Sequence, residues 1–468
     1  MTFDQIVALI VLISVVGILI HGKARADVVA LAGAAALLLL GVVRPVEVQG
    51  AFASPAIIAL AGLFVIAYAI ELSGLLGLLI RSATRLSSRI GARGIWIVIG
   101  LCGSVGGFLN NTPVVVLAAP VIRDVAQSLN LSPKRFLMPL SHVTVMGGLL
   151  TLIGTSTNLL VNDMARNAGQ PVFGMFEITP VGLVIAATGG LWLYVVGARQ
   201  LGRAVAEDEA EARRRALEAQ QRRAEQDRRA RRRLRLPFAL PRLGEARNTP
   251  DGSGDAHLGD VALFGAADRP FKLRPAIISL TVFVLVIAAA ALGWAPIAAA
   301  AFAGAVVLIL LGVITAEDAY AGLRPEILLL IAGMVVIGTA IEVTGLAKAG
   351  ADRLIDLIRP MGPMGALVVL YGVTLLATEL LSNATVAVLV TPIAVALAES
   401  LGVNPRPFLV AVMMAASAAF ATPFGYQTNV LVFNMAGYSY MDFVRVGAPL
   451  NLITWAAAMV AIPMVFPF

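Results

Sequence analysis

Residues 109–120 read LNNTPVVVLAAP and residues 378–392 read TELLSNATVAVLVTP. Each is an apolar run closed by a proline and broken by a polar cluster, Asn110-Asn111-Thr112-Pro113 in one and Ser382-Asn383-Ala384-Thr385 in the other. Asn111 and Asn383 stand 272 residues apart, as do Pro120 and Pro392, and Pro133 and Pro405. Two further polar breaks, Gly154-Thr155-Ser156-Thr157-Asn158 and TPFGYQTN at 422–429, pair through Asn158 and Asn429 at an offset of 271. Glu71 and Glu342 pair at the same offset within the pattern E-x-[S/T]-G. A near-constant offset held over roughly 90 residues is the signature of an internal duplication.

Outward from these runs the chain stays apolar. Of its 468 residues 59% are hydrophobic and 13% charged, with a mean hydropathy of +0.88, against about 25% charged residues in soluble domains. A water-soluble fold cannot hide that surface, so the sequence predicts an all-α polytopic membrane protein. In the first half, residues 2–20, 28–43, 55–80, 136–166 and 176–198 give five crossings, with a re-entrant hairpin at 95–126 whose tip is the Asn110 cluster. The fourth crossing, 136–166, contains the Gly154 break and reads as an interrupted helix. In the second half, 275–292, 296–314 and 325–343 precede a hairpin at 363–399, an interrupted helix at 408–435 and a last span at 446–464. Residues 6–20 lack a preceding basic region and a small-residue cleavage pattern, so they read as a retained span and not as a signal peptide.

Charge orients the array. Lys23, Arg25, Arg81, Arg85, Arg89, Arg93, Arg123, Lys134 and Arg135 flank the first-half spans on what must be one side, the cytoplasmic one. Five crossings then put the N-terminus outside and bring residue 199 back to the cytoplasm. There a linker, 199–274, carries about half of all Lys and Arg. This localisation explains the net charge of +7 and pI of 9.9 without nucleic acid as a partner. It leaves lipid headgroups as the natural neighbours. Residues 207–235 read as a charged helix and 237–268 as a flexible connector. An odd number of crossings per half makes the second copy enter from the opposite side. The expectation is therefore two inverted repeats, 1–198 and 275–468, each with about five spans, one re-entrant hairpin and one interrupted helix, in a multi-pass inner-membrane protein with both termini outside. Lys348, Arg353 and Arg359 would then be external, against the rule.

Backbone leaves a helix at membrane depth only where protein or a wet cavity covers it. A single break reads as a kink, but four in matched pairs point to a site where they converge. Half-helices starting there aim unpaired N–H groups and a positive dipole end at the cavity, while those ending there present carbonyls. An oxyanion and coordinating cations both fit such a shell.

These motifs resemble those of the divalent-anion/sodium symporters of the ion transporter superfamily, whose hairpin tips carry Ser-Asn-Thr. LNNTPVVVLAAP and TELLSNATVAVLVTP look like the two tips, and GTSTN and GYQTN like the interrupted helices behind them. The segments SPKRFLMPLSHVTVMGGLLTLIGTSTNLLV and FATPFGYQTNVLV look closest to a bacterial branch that carries potassium-channel-type regulatory domains between the halves. Here only the short basic linker stands in that place. The resemblance implies a homodimeric, elevator-type transporter coupled to sodium. It implies cation contacts at Gly106, Asn110, Asn111 and Gly154 in one half and at Thr378, Ser382, Asn383 and Gly425 in the other. A small anionic substrate would sit between Asn111-Thr112 and Asn383-Ala384, near Thr155 and Tyr426. Asn110 replaces the motif serine and Ala384 the motif threonine.

Other residues are read individually. Glu379 lies three residues before Ser382 and pairs with neutral Gly107; it is either a brace for the hairpin or a proton-coupling carboxylate. Glu71 and Glu342 read as anchors at matched helix ends. His142 is expected to begin the interrupted helix, with His21 and His257 in loops, and no pair has metal-ligand spacing. The single Cys102 reads as packing. Asn162, with no motif match, is expected to tolerate Ala. No GxxxxGK[ST] nucleotide loop and no hydrolase triad is present, so neither an enzyme nor a cofactor is expected. The function expected is sodium-coupled uptake of a sulfate-like oxyanion or C4-dicarboxylate; the alternatives are proton-coupled or exchange transport, an exporter, or an anion channel or transporter-like receptor.

Overall fold

The computed structural model describes residues 2–21, 24–78, 80, 82, 91–197, 199–201, 270–346, 349 and 361–468. Lys23, Arg81, Arg85, Arg89, most of the linker with His257, and Lys348, Arg353 and Arg359 lie outside the described residues. Among those described are eighteen α-helices, nine in each half, and no strand. The first half holds α1 (Phe3–His21), α2 (Ala26–Leu39), α3 (Pro45–Phe52), α4 (Pro55–Leu72), α5 (Ala92–Gly106), α6 (Asn111–Ser128), α7 (Lys134–Gly147), α8 (Ser156–Asn167) and α9 (Thr179–Trp192). A π turn, Leu193–Gly197, continues α9. The second half holds α10 (Leu273–Ala291), α11 (Ile297–Leu310), α12 (Ala316–Gly322), α13 (Pro325–Val343), α14 (Gly362–Thr378), α15 (Asn383–Leu401), α16 (Arg406–Ala416), α17 (Gln427–Ala436) and α18 (Tyr440–Val465). Among the described residues, six helical stretches are long and apolar enough to cross a bilayer. Others, such as α2 and α11 with 14 residues each, extend only about 21 Å against a hydrocarbon core of about 30 Å.

Several boundaries correct the sequence reading. The span expected at 55–80 ends as a continuous helix at Leu72. Ser73 Oγ donates to the Ile70 carbonyl (2.6 Å) and Gly74 turns left-handed at φ +72°, a helix stop. Thr344 and Gly345 (φ +70°) end α13 in the same way. The short helices α3 and α12 were not expected. At α3 the Arg44 N–H donates to Glu47 Oε2 at 2.7 Å, while α12 starts with a reciprocal cap, the Thr315 N–H donating to Asp318 Oδ2 at 3.0 Å and the Asp318 N–H to Thr315 Oγ1 at 3.1 Å, the pattern that nucleates a first turn. His21 ends α1 instead of lying in a loop. His142 lies inside α7, fully buried between the rings of Phe420 and Phe443, and does not begin the helix.

The helices form two bundles. One comprises α1–α4 with α10–α13, the other α5–α9 with α14–α18; among the described residues, extensive contact between the bundles is confined to α4 on α8 and α13 on α15. Within the first bundle the halves exchange partners, α4 packing on α11 and α2 on α13. The fit depends on small residues. A Cβ at Gly62 would lie 2.6 Å from the Ala301 carbonyl carbon, and one at Gly333 would lie 2.7 Å from that of Ala30. Gly62 and Gly333, and Ala30 and Ala301, are both 271 residues apart. Likewise Gly33 faces Val15 and Ile337, while Gly304 faces Val286 and Ile66. Every residue of the second set is the first set's counterpart at that same offset.

Candidate functional site

The four polar breaks meet between the bundles. A cavity of about 300 Å³ is walled on one side by Leu60, Leu63, Phe64 and Ala67 of α4 and Ile327 and Leu330 of α13. Facing them are Asn110 and Thr112, Gly154 and Thr155, Ser382, Asn383 and Ala384, and Gly425 and Tyr426. These are helix starts. Asn110, Thr155, Ser382 and Tyr426 are the residues immediately before the first turns of α6, α8, α15 and α17. Four helix N-termini therefore reach one cavity, whose lining, among the described residues, includes no charged side chain. Arg324, in a left-handed conformation (φ +49°), precedes the first turn of α13 and is not part of that lining.

Two of the expected cation residues act as caps. Asn110 Oδ1 accepts from the Thr112 N–H (3.1 Å) and Ser382 Oγ from the Thr385 N–H (3.3 Å). Asn111, Gly106 and Thr378 lie behind the cavity wall, not on it. Asn111 is 1% exposed and its Nδ2 donates to the Tyr426 hydroxyl (3.1 Å), so the first tip is tied to the second interrupted helix. Thr112 Oγ1 donates to Gln427 Oε1 at 3.3 Å across the same seam. Asn111 Oδ1 is buried with no partner. Asn383 reverses this, Oδ1 accepting from Thr378 Oγ1 (2.9 Å) and Nδ2 left unpartnered.

Sodium would need a shell of neutral oxygens here. A Cβ at Gly106 would come within 2.7 Å of the Thr144 carbonyl oxygen and 2.9 Å of Asn111 Oδ1; glycine leaves that space free beside an unpaired buried oxygen. The donor set of the first half thus suits an alkali cation. In the second half the matching oxygen is already engaged by Thr378.

Glu379 is enclosed by donors. Its Oε1 accepts from the Ala421 N–H (2.8 Å) and Asn451 Nδ2 (2.7 Å), and its Oε2 from the Thr422 N–H (2.9 Å) and Thr422 Oγ1 (2.8 Å). Thr422 Oγ1 also reaches the Glu379 carbonyl, as Thr151 Oγ1 reaches that of Gly107. The two halves thus share the backbone contact, and the second adds a carboxylate. Each threonine hydroxyl also accepts from the glycine amide three residues on, Gly154 or Gly425 (both 3.1 Å). Asn158 Nδ2 donates to the Gly148 and Thr151 carbonyls, and Asn429 Nδ2 to those of Ala419 and Thr422.

Sequence reasoning missed three groups. Thr151 and Thr422 lie within quoted segments but were not named as site residues, although their common offset of 271 was visible. Ser141 Oγ, 2.7 Å from both Thr428 Oγ1 and Asn429 Oδ1, pins α7 to α17. Asp163 is 2% exposed in α8 and its carboxylate faces the start of α4, at the Ser54 hydroxyl and Ala56 N–H, without closing a hydrogen bond of good geometry. Arg166 stands 3.9 Å away. Asn162 was misread: it is 7% exposed and its Oδ1 accepts from the Phe173 N–H at 2.7 Å, so Ala there would orphan a buried amide.

Long apolar helices, interrupted helices and a polar cavity at the seam of two bundles define a multi-pass membrane transport protein, not an enzyme. The chain belongs to the citrate transporter family, whose profile matches residues 10–400 and 380–468. It is similar to an uncharacterized transporter of Synechocystis sp., 24% identical over 572 aligned residues covering 94% of each chain. Sodium/sulfate cotransporter 1 of Chlamydomonas reinhardtii is 34% identical over 149 residues, 32% of this chain and 17% of that one. The fold is that of the Alcanivorax borkumensis YdaH transporter, with a TM-score of 0.57 at 14% identity, over 89% of this chain and 86% of that one.

Proposed function

We propose that this protein is a secondary transporter that accumulates a small divalent anion with sodium, a sulfate-like oxyanion ahead of a C4-dicarboxylate. The observation that carries the reading is the convergence of four helix N-termini on one uncharged cavity, where aligned N–H groups attract an anion without a basic side chain. The unpaired Asn111 Oδ1 beside Gly106 supports a neutral-oxygen cation site next to it. The relatives named for sodium and sulfate support the same pairing; the family's name adds citrate to the carboxylates worth testing.

The halves are inverted repeats in this reading, and the protein works as a homodimer by an elevator motion, the α5–α9/α14–α18 bundle moving against the other. Asymmetry between equivalent contacts supports it. Gly338 is packed, a Cβ there meeting Met164 at 2.7 Å and Val388 at 2.8 Å, whereas its counterpart Ala67 lines the cavity. Asp163 faces the start of α4, whereas its counterpart Asn434 is exposed. The bundle is thus packed on the end of α13 at Gly338 and parted from the matching stretch of α4 at Ala67. With the basic linker inside and both termini outside, the cavity opens to the cytoplasm. Glu379, held by four donors, is a brace and not the coupling group.

Uptake of radiolabelled sulfate, succinate and citrate into proteoliposomes, with sodium or proton gradients imposed separately, tests the proposal. Accumulation driven by sodium alone is expected. Accumulation driven only by protons would return the coupling role to Glu379, and equilibration without accumulation would make the protein a channel.

A further inference from the structure

A further cavity, of about 260 Å³, lies apart from the transport site and is lined by Arg93, Trp96, Arg135, Tyr194, Val195 and Arg199. Three guanidinium groups share it, and among the described residues none of them forms an ion pair. The Arg135 Nε is buried with no hydrogen-bond partner. Two aromatic rings form its wall, Tyr194 standing edge-on to Trp96 with centroids 5.2 Å apart and planes at 86°. The π turn after α9 supplies Tyr194 and Val195, and both are exposed beside the cavity, at 49% and 39%. Helices α5 and α7 begin here and α9 ends here, where the basic linker starts.

The second half shows what is missing. The counterpart of Arg135 at the 271 offset is Arg406. It too lies among rings, 4.5 Å from the centroid of Phe173 and 5.5 Å from that of Phe466, but its guanidinium is paired with Glu177 at 2.5 Å. Around Arg135 the rings are kept, with Phe136 at 5.8 Å, the carboxylate is absent, and two further arginines take its surroundings. Three clustered cations with no acid beside them among the described residues attract an anion.

We propose that this cavity binds the phosphate of an anionic phospholipid headgroup, the phosphodiester bridging the three guanidinium groups and the acyl chains lying against Tyr194 and Val195. A free phosphate ion offers the same charge, but the exposed ring and aliphatic side chain at the mouth favour a ligand with an apolar tail. Aromatic residues beside basic ones are characteristic of the membrane boundary.

The test is native mass spectrometry of the detergent-purified full chain titrated with phosphatidylglycerol, phosphatidylcholine or inorganic phosphate. Selective retention of phosphatidylglycerol is expected, with an affinity about tenfold weaker in Arg135→Gln. The exposed Arg93→Gln and Arg199→Gln should weaken it in the same direction, which keeps the test open if Arg135→Gln fails to fold. Arg123→Gln, an equal charge loss outside the cavity, should leave it unchanged. Equal retention of both lipids, or equal loss in Arg123→Gln, would overturn the proposal. Inorganic phosphate displacing the lipid at equal concentration would also overturn it, by assigning the cavity to a free anion.

Discussion

At the residue scale, Asn111 and Asn383 occupy matched helix starts yet present opposite ends of their amides, one an unpaired oxygen and the other an unpaired NH2. Replacing either by Ala removes a group worth about 1.5–3 kcal/mol when its partner is charged. Each is therefore expected to lower affinity roughly tenfold to a hundredfold: Asn111→Ala chiefly for the cation, Asn383→Ala chiefly for the anion. Equilibrium binding of each ligand to the purified variants would separate the two, with exposed Gln49→Ala as the neutral control that Asn162 cannot be. Glu379→Gln keeps one acceptor oxygen of two and loses the charge, so a stability loss of about 1.5–3 kcal/mol is expected, read by denaturation in detergent. A brace that does not titrate leaves the pH profile of transport unchanged; a shifted profile would contradict it. The paired asparagines were legible because their spacing recurs. The orientation of their amides was not, since it depends on Thr378 and Tyr426, which only folding brings near.

At the element scale, the places where helices break could be read from polar clusters inside apolar runs. The expected arms 95–126 became Ala92–Gly106 and Asn111–Ser128, and 363–399 became Gly362–Thr378 and Asn383–Leu401. What hydropathy could not show is where a helix stops between equally apolar neighbours, as at Ser73-Gly74, or which helices cross-pack. The α4–α11 and α2–α13 crossings leave no room for a methyl group. Gly62→Ala and Gly333→Ala should therefore each destabilise by about 1–3 kcal/mol, and by similar amounts, in thermal unfolding of the purified protein. A large effect at one and none at the other would mean that the two crossings are not equivalent. In a Cys102→Ala background, Ala67→Cys should react with a membrane-impermeant maleimide in inside-out vesicles and not in right-side-out ones.

At the scale of the whole molecule, charge distribution is the guide to sidedness, and about half of the Lys and Arg lie in the linker. Cysteines at Ala219 and Ala256, outside the described residues, are expected to stay unlabelled from outside intact cells; external labelling would reverse the topology and move the mouth of the cavity to the other face. The partner exchange in the first bundle has a further consequence, for biogenesis. Helix α2 finds its closest neighbour in α13, and α4 in α11, so the ribosome releases the first four helices long before their partners exist. The early chain must wait in the bilayer with its glycine faces unpaired, open to membrane chaperones and proteases. A gene cut within the linker should accordingly yield two fragments that are degraded when made singly and recovered together when made in the same cell.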